Sequence, residues 1–278
     1  MSDLRDLFYP PITFERFAAL RAKSPKRICF GSTHKTALKK AVSGKAVGFL
    51  NIPFSESFSA IFPWQMFNNT KGIHGGFYRS IHSTEEYTQI SAWLEQRSNL
   101  VFIRSLFTTA IAAAEHYADD ARTKIGELEK AAKYDANLDA REKLAVILEE
   151  VYRDCHAALG ISAIISVPSS NPASLSLPNF LARRLSEKLM VPDLTNEIAW
   201  AGPKGEIKTL TVEQKWHALA GVGMLVSGSV AGKNLLLIDD MYQSGATAHY
   251  VGSQLRAAGA DDLHLLCVSK GRRDTDNQ

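Results

Sequence analysis

The sequence predicts an α/β protein, with a doubly wound parallel sheet over residues 161–278 preceded by a mostly helical region over 1–160. Three observations predict it. Short apolar runs stand at 162–167 (SAIISV), 234–239 (NLLLID) and 263–268 (LHLLCV), each of strand length. Segments of helical period separate them. No such alternation occurs before Gly160, where the periodic segments are helical.

In chain order, RICF and AVGFLNI within 26–52 are short strand candidates, and residues 53–83 carry no pattern that assigns them. Residues 84–97 place Tyr87, Ile90 and Leu94 at helical spacing. The stretch from about 101 to 133, rich in Ala, Glu and Lys, reads as a longer helical region. Residues 139–159 form the clearest helix: Asp139 and Glu142 suggest a capping box, Leu144, Leu148, Val151 and Cys155 share a face, and Gly160 can end it. Residues 174–190 turn helical towards Leu189. MLVSGSV (224–230) is a strand candidate, and NLLLID a better one, its unbroken apolar run suiting a strand covered on both faces. Residues 246–260 read as a helix closed by Gly259.

Composition narrows the class. A hydrophobic content of 45% and a charged content of 22% are those of a soluble globular protein, and a net charge of +3 is too small to identify a polyanionic partner. No run approaches the roughly 18 apolar residues of a membrane span, and MSDLRDLFYPP lacks the layout of a signal peptide. The expected location is the cytoplasm. Cys29, Cys155 and Cys267 are odd in number and far apart, which argues against a disulfide framework or a Cys-based zinc site.

The chemistry concentrates in NLLLIDDMYQSGATAHY (234–250). Asp239 and Asp240 end an apolar strand, the place where open α/β sheets bind ligands. Gln243, Ser244, Gly245, Ala246 and Thr247 then lead into a helix, whose N-terminus offers free backbone N–H groups and a favourable dipole to a phosphate. Carboxylates beside such a cradle suit a neighbouring diol or a hydrated Mg²⁺. Diol, phosphate and metal together describe a ribose 5-phosphate. An acidic strand end before an ordinary helix cap is the plainer explanation of the Asp-Asp pair alone.

The whole string closely resembles the phosphoribosyl pyrophosphate (PRPP) signature of type I phosphoribosyltransferases: four hydrophobics, two acids and a small-residue phosphate loop. The resemblance covers about 110 of the 278 residues, from near 160 to 270. With VEQKWHALAGVGMLVSG before the string and LRAAGADDLHLLCVSKGRR after it, the layout looks like that of the ComF-type enzymes of bacterial competence systems. The resemblance implies a type I phosphoribosyltransferase-like fold, with the ribose hydroxyls of PRPP held by Asp239 and Asp240 and its 5-phosphate by residues 243–247. It also implies Mg²⁺, bound mainly through PRPP and water rather than by protein ligands. A nucleoside 5-monophosphate is the other expected ligand. It further implies a cationic loop closing over the site within 200–215, where Lys204, Lys208 and Lys215 are the candidates and Lys208 is favoured as catalytic.

The departures from the family are specific. Gln243 stands where purine-salvage enzymes often carry an Asp, and an amide cannot take a proton near neutral pH, which disfavours hypoxanthine or guanine as acceptor. The loop expected to hold pyrophosphate, PSSNPASLSLPNF (168–180), has no cation; Ser169, Ser170 and Asn171 are its candidate donors. The Cys-rich zinc ribbon of many ComF-type proteins is missing. The sequence therefore supports an active transferase with an unidentified acceptor. It leaves open a PRPP- or nucleotide-binding regulator without turnover, and an effector or DNA-uptake accessory protein working through a partner. Eight Lys/Arg and no acid make the segment 21–45 a candidate contact for nucleic acid or an acidic protein, although a solvated basic face explains it more simply. A homodimer is a candidate assembly. GSTHKT (31–36) fails as a P-loop because His34 replaces the Gly before Lys35. HGG (74–76) has no matching nucleophile elbow. His116 and His156 lack ligand-spaced partners and read as ordinary helical histidines.

Overall fold

The computed structural model describes residues 4–42, 44–68, 76–170 and 176–272. Its strands are β1 (Arg27–Ile28), β2 (Leu38–Lys40), β3 (Gly48–Ile52), β4 (Phe67–Asn68), β5 (Phe77–Ile81), β6 (Val101–Ile103), β7 (Thr109–Glu115), β8 (Tyr117–Ala118), β9 (Ala121–Arg122), β10 (Ala163–Ser166), β11 (Ile198–Trp200), β12 (Met224–Val226), β13 (Leu235–Tyr242) and β14 (Leu263–Lys270). The helices are α1 (Leu4–Phe8), α2 (Phe14–Arg21), α3 (Thr84–Gln96), α4 (Lys124–Tyr134), α5 (Leu138–Cys155), α6 (Leu177–Leu189), α7 (Val212–Val222) and α8 (Ala246–Ala257).

The central sheet runs β1-β6-β7-β14-β13-β10. β10, β13, β14 and β7 are parallel, and β6 and β1 close one edge antiparallel. Strand alternation sends its side chains to two separate cores. Ile111, Leu236, Ile238, Leu266 and Val268 pack with α3, α4, α5 and α6. Ala110, Ala112, Leu235, Leu237 and Leu265 pack on the other face with α2, α7 and α8. The result is the three-layer α/β arrangement expected for a sheet whose strands are apolar on both sides.

The elements expected after Gly160 are present, with one change of place: β12 pairs only with β11 and stands outside the central sheet. Before Gly160 the expected helix over 101–133 is a correction. That stretch holds β6, β7 and the β8–β9 hairpin, and becomes helical only at Lys124. TAIAAAE reads as helical because alanine favours helices. Here pairing to β14 and burial on both faces decide otherwise, and the small side chains suit close layers. The helix α5 is capped by Asn137, which accepts from the Ala140 N–H at 3.0 Å, not by Asp139; it ends at Cys155 with His156 as its C-cap, short of Gly160. A four-stranded antiparallel sheet, β2-β3-β5-β4, lies in the stretch the sequence left unassigned or half-assigned. Residue 160, expected as a domain boundary, separates α5 from β10 in the chain, and the central sheet takes β1, β6 and β7 from before it.

No described helix is long and apolar enough to cross a membrane. The three cysteines are free and buried.

Candidate functional site

β13 carries its apolar run into Asp239 and Asp240 without a break. Because a strand alternates, the adjacent acids serve opposite faces of the sheet. Asp239 lines a small cavity of about 140 Å³ together with Gln243, Ser244, Gly245, Thr247 and Lys215. Asp240 lines a larger one of about 680 Å³ towards α4 and the β8–β9 hairpin. Lys208, Met241 and Gln243 border both. The Asp-Asp pair thus places one carboxylate in each of two connected spaces.

The small cavity is shaped by the turn from β13 to α8. Gly245 adopts φ +81°, and a Cβ there would collide with the Tyr242 phenol, so the turn from strand to helix requires glycine. The N-cap of α8 is Gly245, which has no side chain of its own to cap the helix, and Ser244 Oγ accepts the Ala246 N–H at 3.5 Å. The loop is braced from two sides. Arg21, at the end of α2, donates to the Ser244 carbonyl. His249 is fully buried; its Nδ1–H donates to the Gly245 carbonyl at 2.9 Å, while Nε2 accepts from the Leu106 N–H at 3.2 Å. Burial holds the His249 imidazole down at about 4, so it is neutral in this role. Lys215, on α7, is buried at the same cavity.

Charge around the acids is supplied from afar in the chain. Lys133 of α4 lies 2.5 Å from Asp240 Oδ2. Desolvation lowers the Lys133 ammonium, but Asp240, Glu129 and Asp239 outweigh it and leave it raised. Burial, reinforced by Asp240, pushes Asp239 up to about 7. Lys204 sits 4.8 Å from the Trp200 ring centroid, and burial lowers it despite the pull of Asp239 and Asp240. The Trp200 indole in turn donates to the Pro168 carbonyl at 3.0 Å, tying this lysine to the start of the β10 loop.

The residues expected from sequence are brought together in part. Asp239, Asp240, Lys208 and residues 243–247 converge. Ser169 and Ser170 follow β10; Val167, the residue just after that strand, donates its N–H to the Ile238 carbonyl beside the acids, but neither serine lines the two cavities. Asn171 lies outside the described residues, as do His74 and Gly75 of the HGG motif. His116 is corrected in its placement, and His156, the C-cap of α5, is the buried, bonded histidine expected. His116 follows β7 rather than sitting on a helix, and bonds Glu129 at 3.1 Å. His156 bonds Thr109 at 3.1 Å. In the basic segment, Arg21 bonds the Ser244 carbonyl of the 243–247 loop and Arg27 pairs with Glu115 at 3.2 Å. Among the described residues, no group of three His, Cys, Asp or Glu is placed to hold a metal ion. Sequence reasoning missed Lys133, Glu129 and His249, whose partners are far away in the chain or invisible without the fold.

No protein-family model matches the chain. A 56-residue stretch, 20% of this chain, is 50% identical to the orotate phosphoribosyltransferase of Methanospirillum hungatei JF-1 and spans 31% of that protein, so about a third of its length is matched. Among solved structures, the adenine phosphoribosyltransferase of Leishmania tarentolae aligns with 50% of this chain and 73% of its own at 13% identity and a TM-score of 0.32. The glutamine PRPP amidotransferase of B. subtilis, complexed with ADP and GMP, aligns with 80% and 46% at 13% identity and a TM-score of 0.38. What these proteins have in common by name is the phosphoribosyl group.

Proposed function

We infer that this protein binds PRPP or a nucleoside 5-monophosphate through residues 239–247 and transfers phosphoribose to an acceptor with release of pyrophosphate. The observation that carries this reading is the continuous β13–α8 turn. It offers a carboxylate to each of two cavities that share part of their lining, and a helix start with a glycine N-cap beside Lys208 and Lys215. The 5-phosphate fits the 243–247 loop, and the ribose hydroxyls fit the carboxylates as acceptors. Mg²⁺ belongs to the reading: the Asp239 and Asp240 oxygens suit a hydrated ion, which when bound stabilises charge on the departing pyrophosphate. The partial likeness to an orotate phosphoribosyltransferase supports the phosphoribosyl class.

Calorimetry with PRPP and Mg²⁺ tests the reading. The double substitution Asp239→Asn/Asp240→Asn should weaken binding by about 100-fold, on the order of 2.7 kcal/mol. Unchanged affinity would sink the assignment. Acidity adds a second expectation. The Asp239 carboxyl, raised to about 7, must lose its proton to serve as an acceptor or metal partner. Affinity should therefore fall roughly tenfold from pH 8 to pH 6 in the wild type and far less in Asp239→Asn.

A second reading, a PRPP-binding regulator without turnover, rests on the neutral start of the β10 loop, where Ser169 and Ser170 bring no charge to the leaving group. Pyrophosphate release separates the two readings.

A further inference from the structure

The larger cavity contains a histidine in an unusually fixed setting. His116 follows β7, and its backbone is clamped at both ends: its N–H bonds the Lys270 carbonyl at 2.9 Å, and its carbonyl accepts the Thr123 N–H at 3.1 Å. Its Nδ1 lies 3.1 Å from Glu129 Oε2 and 3.2 Å from Ser269 Oγ, and Ser269 itself donates to Glu129. Glu129 is 2% exposed and Ser269 is fully buried. A carboxylate accepts only, so in the neutral ring the proton is assigned to Nδ1 and Nε2 keeps its lone pair. Among the described residues, nothing bonds Nε2. Gly126 makes the approach feasible: a Cβ there would collide with the His116 carbonyl, and α4 would stand off with Glu129.

The placement of this imidazole matters. The cavity shared by His116, Asp240 and Gln243 opens on the β14–β7 side of β13, whereas the β10 loop lies on the other side. A ribose held over Asp239 and Asp240, with its pyrophosphate towards the β10 loop, is open to in-line attack from the His116 side. Gln243, the residue of the phosphate loop nearest that side, cannot take a proton.

We propose that His116, held by Glu129 and Ser269, is the catalytic base that deprotonates the acceptor, and that the acceptor is a proton-bearing N–H heterocycle. The inference rests on the phosphoribosyl reading above. In the step, the acceptor N–H breaks and its proton passes to His116 Nε2. The freed nitrogen pair forms the bond to the anomeric carbon of PRPP, and the carbon–oxygen bond to pyrophosphate breaks with its pair leaving on pyrophosphate. Glu129 is a positioning residue that fixes the tautomer and faces the imidazolium that forms, the arrangement familiar from carboxylate–histidine pairs. A pyridine nitrogen, which has no proton to lose, gains nothing from such a base.

The test uses the full chain with PRPP and Mg²⁺. Adenine, uracil and orotate serve as N–H acceptors and nicotinate and quinolinate as pyridine acceptors, with acceptor-dependent pyrophosphate release as the readout. At least one N–H heterocycle should turn over and neither pyridine should. His116→Asn keeps a donor towards Glu129 without a basic nitrogen, so kcat should fall by about 10²–10⁴-fold while the KM for PRPP and the melting temperature stay close to wild type. The imidazole ¹⁵N signals of His116 should show a protonated Nδ1 and a bare Nε2, and Nε2 should shift with AMP or UMP but not with ribose 5-phosphate. Transfer to a pyridine nitrogen, an Nε2-protonated ring, or a kcat in His116→Asn within about threefold of wild type would each overturn the proposal. PRPP binding with no acceptor-dependent release from any N–H heterocycle would also overturn it while leaving the binding reading intact. Failure to bind PRPP at all would remove both.

Discussion

Residues 161–278 produced alone should not give a stable, soluble protein. All eight residues of β14 are buried, and its free side in that fragment would be the one that pairs with β7 from His264↔Thr109 to Lys270↔Glu115. An unpaired edge of LHLLCVSK is a template for association. One face of the fragment's sheet would also lose α3, α4 and α5. Leu236, Ile238, Leu266 and Val268 are 0% exposed in the whole chain, partly through Leu144 and Leu148 of α5. Uncovering several such side chains costs on the order of 10 kcal/mol in all, as much as the whole net stability of an ordinary domain, about 5–15 kcal/mol. Expression of the fragment should give insoluble material or a species without a cooperative melt. Adding back residues 101–160, which restore β7, α4 and α5, should recover most of the cooperative transition. A soluble 161–278 fragment that melted cooperatively and bound PRPP as the full chain does would show that the N-terminal strands and helices are dispensable.

The same dependence explains what the sequence could and could not disclose. Asp239, Asp240 and the 243–247 loop were legible because their geometry is local: a strand end, a turn with a left-handed glycine and a helix start, all within nine residues. Their division between two cavities follows from strand period alone, yet it acquires meaning only once α4 and α8 are seen on opposite faces. β7 was hidden because propensity and environment disagree over TAIAAAE, and tertiary pairing to a strand some 150 residues later won. Lys133 was hidden in an Ala-, Glu- and Lys-rich stretch where any one lysine resembles the others; only the fold shows which one reaches Asp240. His116 looked solitary because its partners Glu129 and Ser269 lie 13 and 153 residues away. The N-terminal region packs against the α/β unit and also supplies a parallel strand, a brace for the 243–247 loop in Arg21, and the cation beside Asp240.

Mild acid should unfold this protein. Three histidines, His156, His249 and His264, are at most 1% exposed. His156 Nε2 and His264 Nδ1 share the Thr109 hydroxyl at 3.1 and 2.9 Å, and the two rings lie 6.1 Å apart. Burial holds the imidazoles down, His156 at about 3 with help from His264, and His249 and His264 at about 4. In the unfolded chain each would titrate near its ordinary value of about 6.5. The sign follows directly: below about pH 6.5 the unfolded state binds protons that the native state refuses, so stability is full above that pH and falls as the medium acidifies towards pH 4. By pH 5 each histidine has cost about 2 kcal/mol and the three together about 6 kcal/mol; the Asp239 carboxyl, raised to about 7, works in the opposite sense and returns about 2 kcal/mol, so the net loss is about 4 kcal/mol, close to the whole stability of a marginal domain. Urea denaturation at pH 7.5, 6 and 5 should show the midpoint dropping steeply across this series. His264→Asn keeps a polar atom near Thr109 but removes one titrating ring, and should abolish about half of the net slope. A midpoint constant from pH 7.5 to 5, or an undiminished slope in His264→Asn, would refute the account. Function should fail in step with the fold, because a protonated His249 would turn a second donor towards the Leu106 N–H and lose the bond that anchors its ring beneath the Gly245 carbonyl.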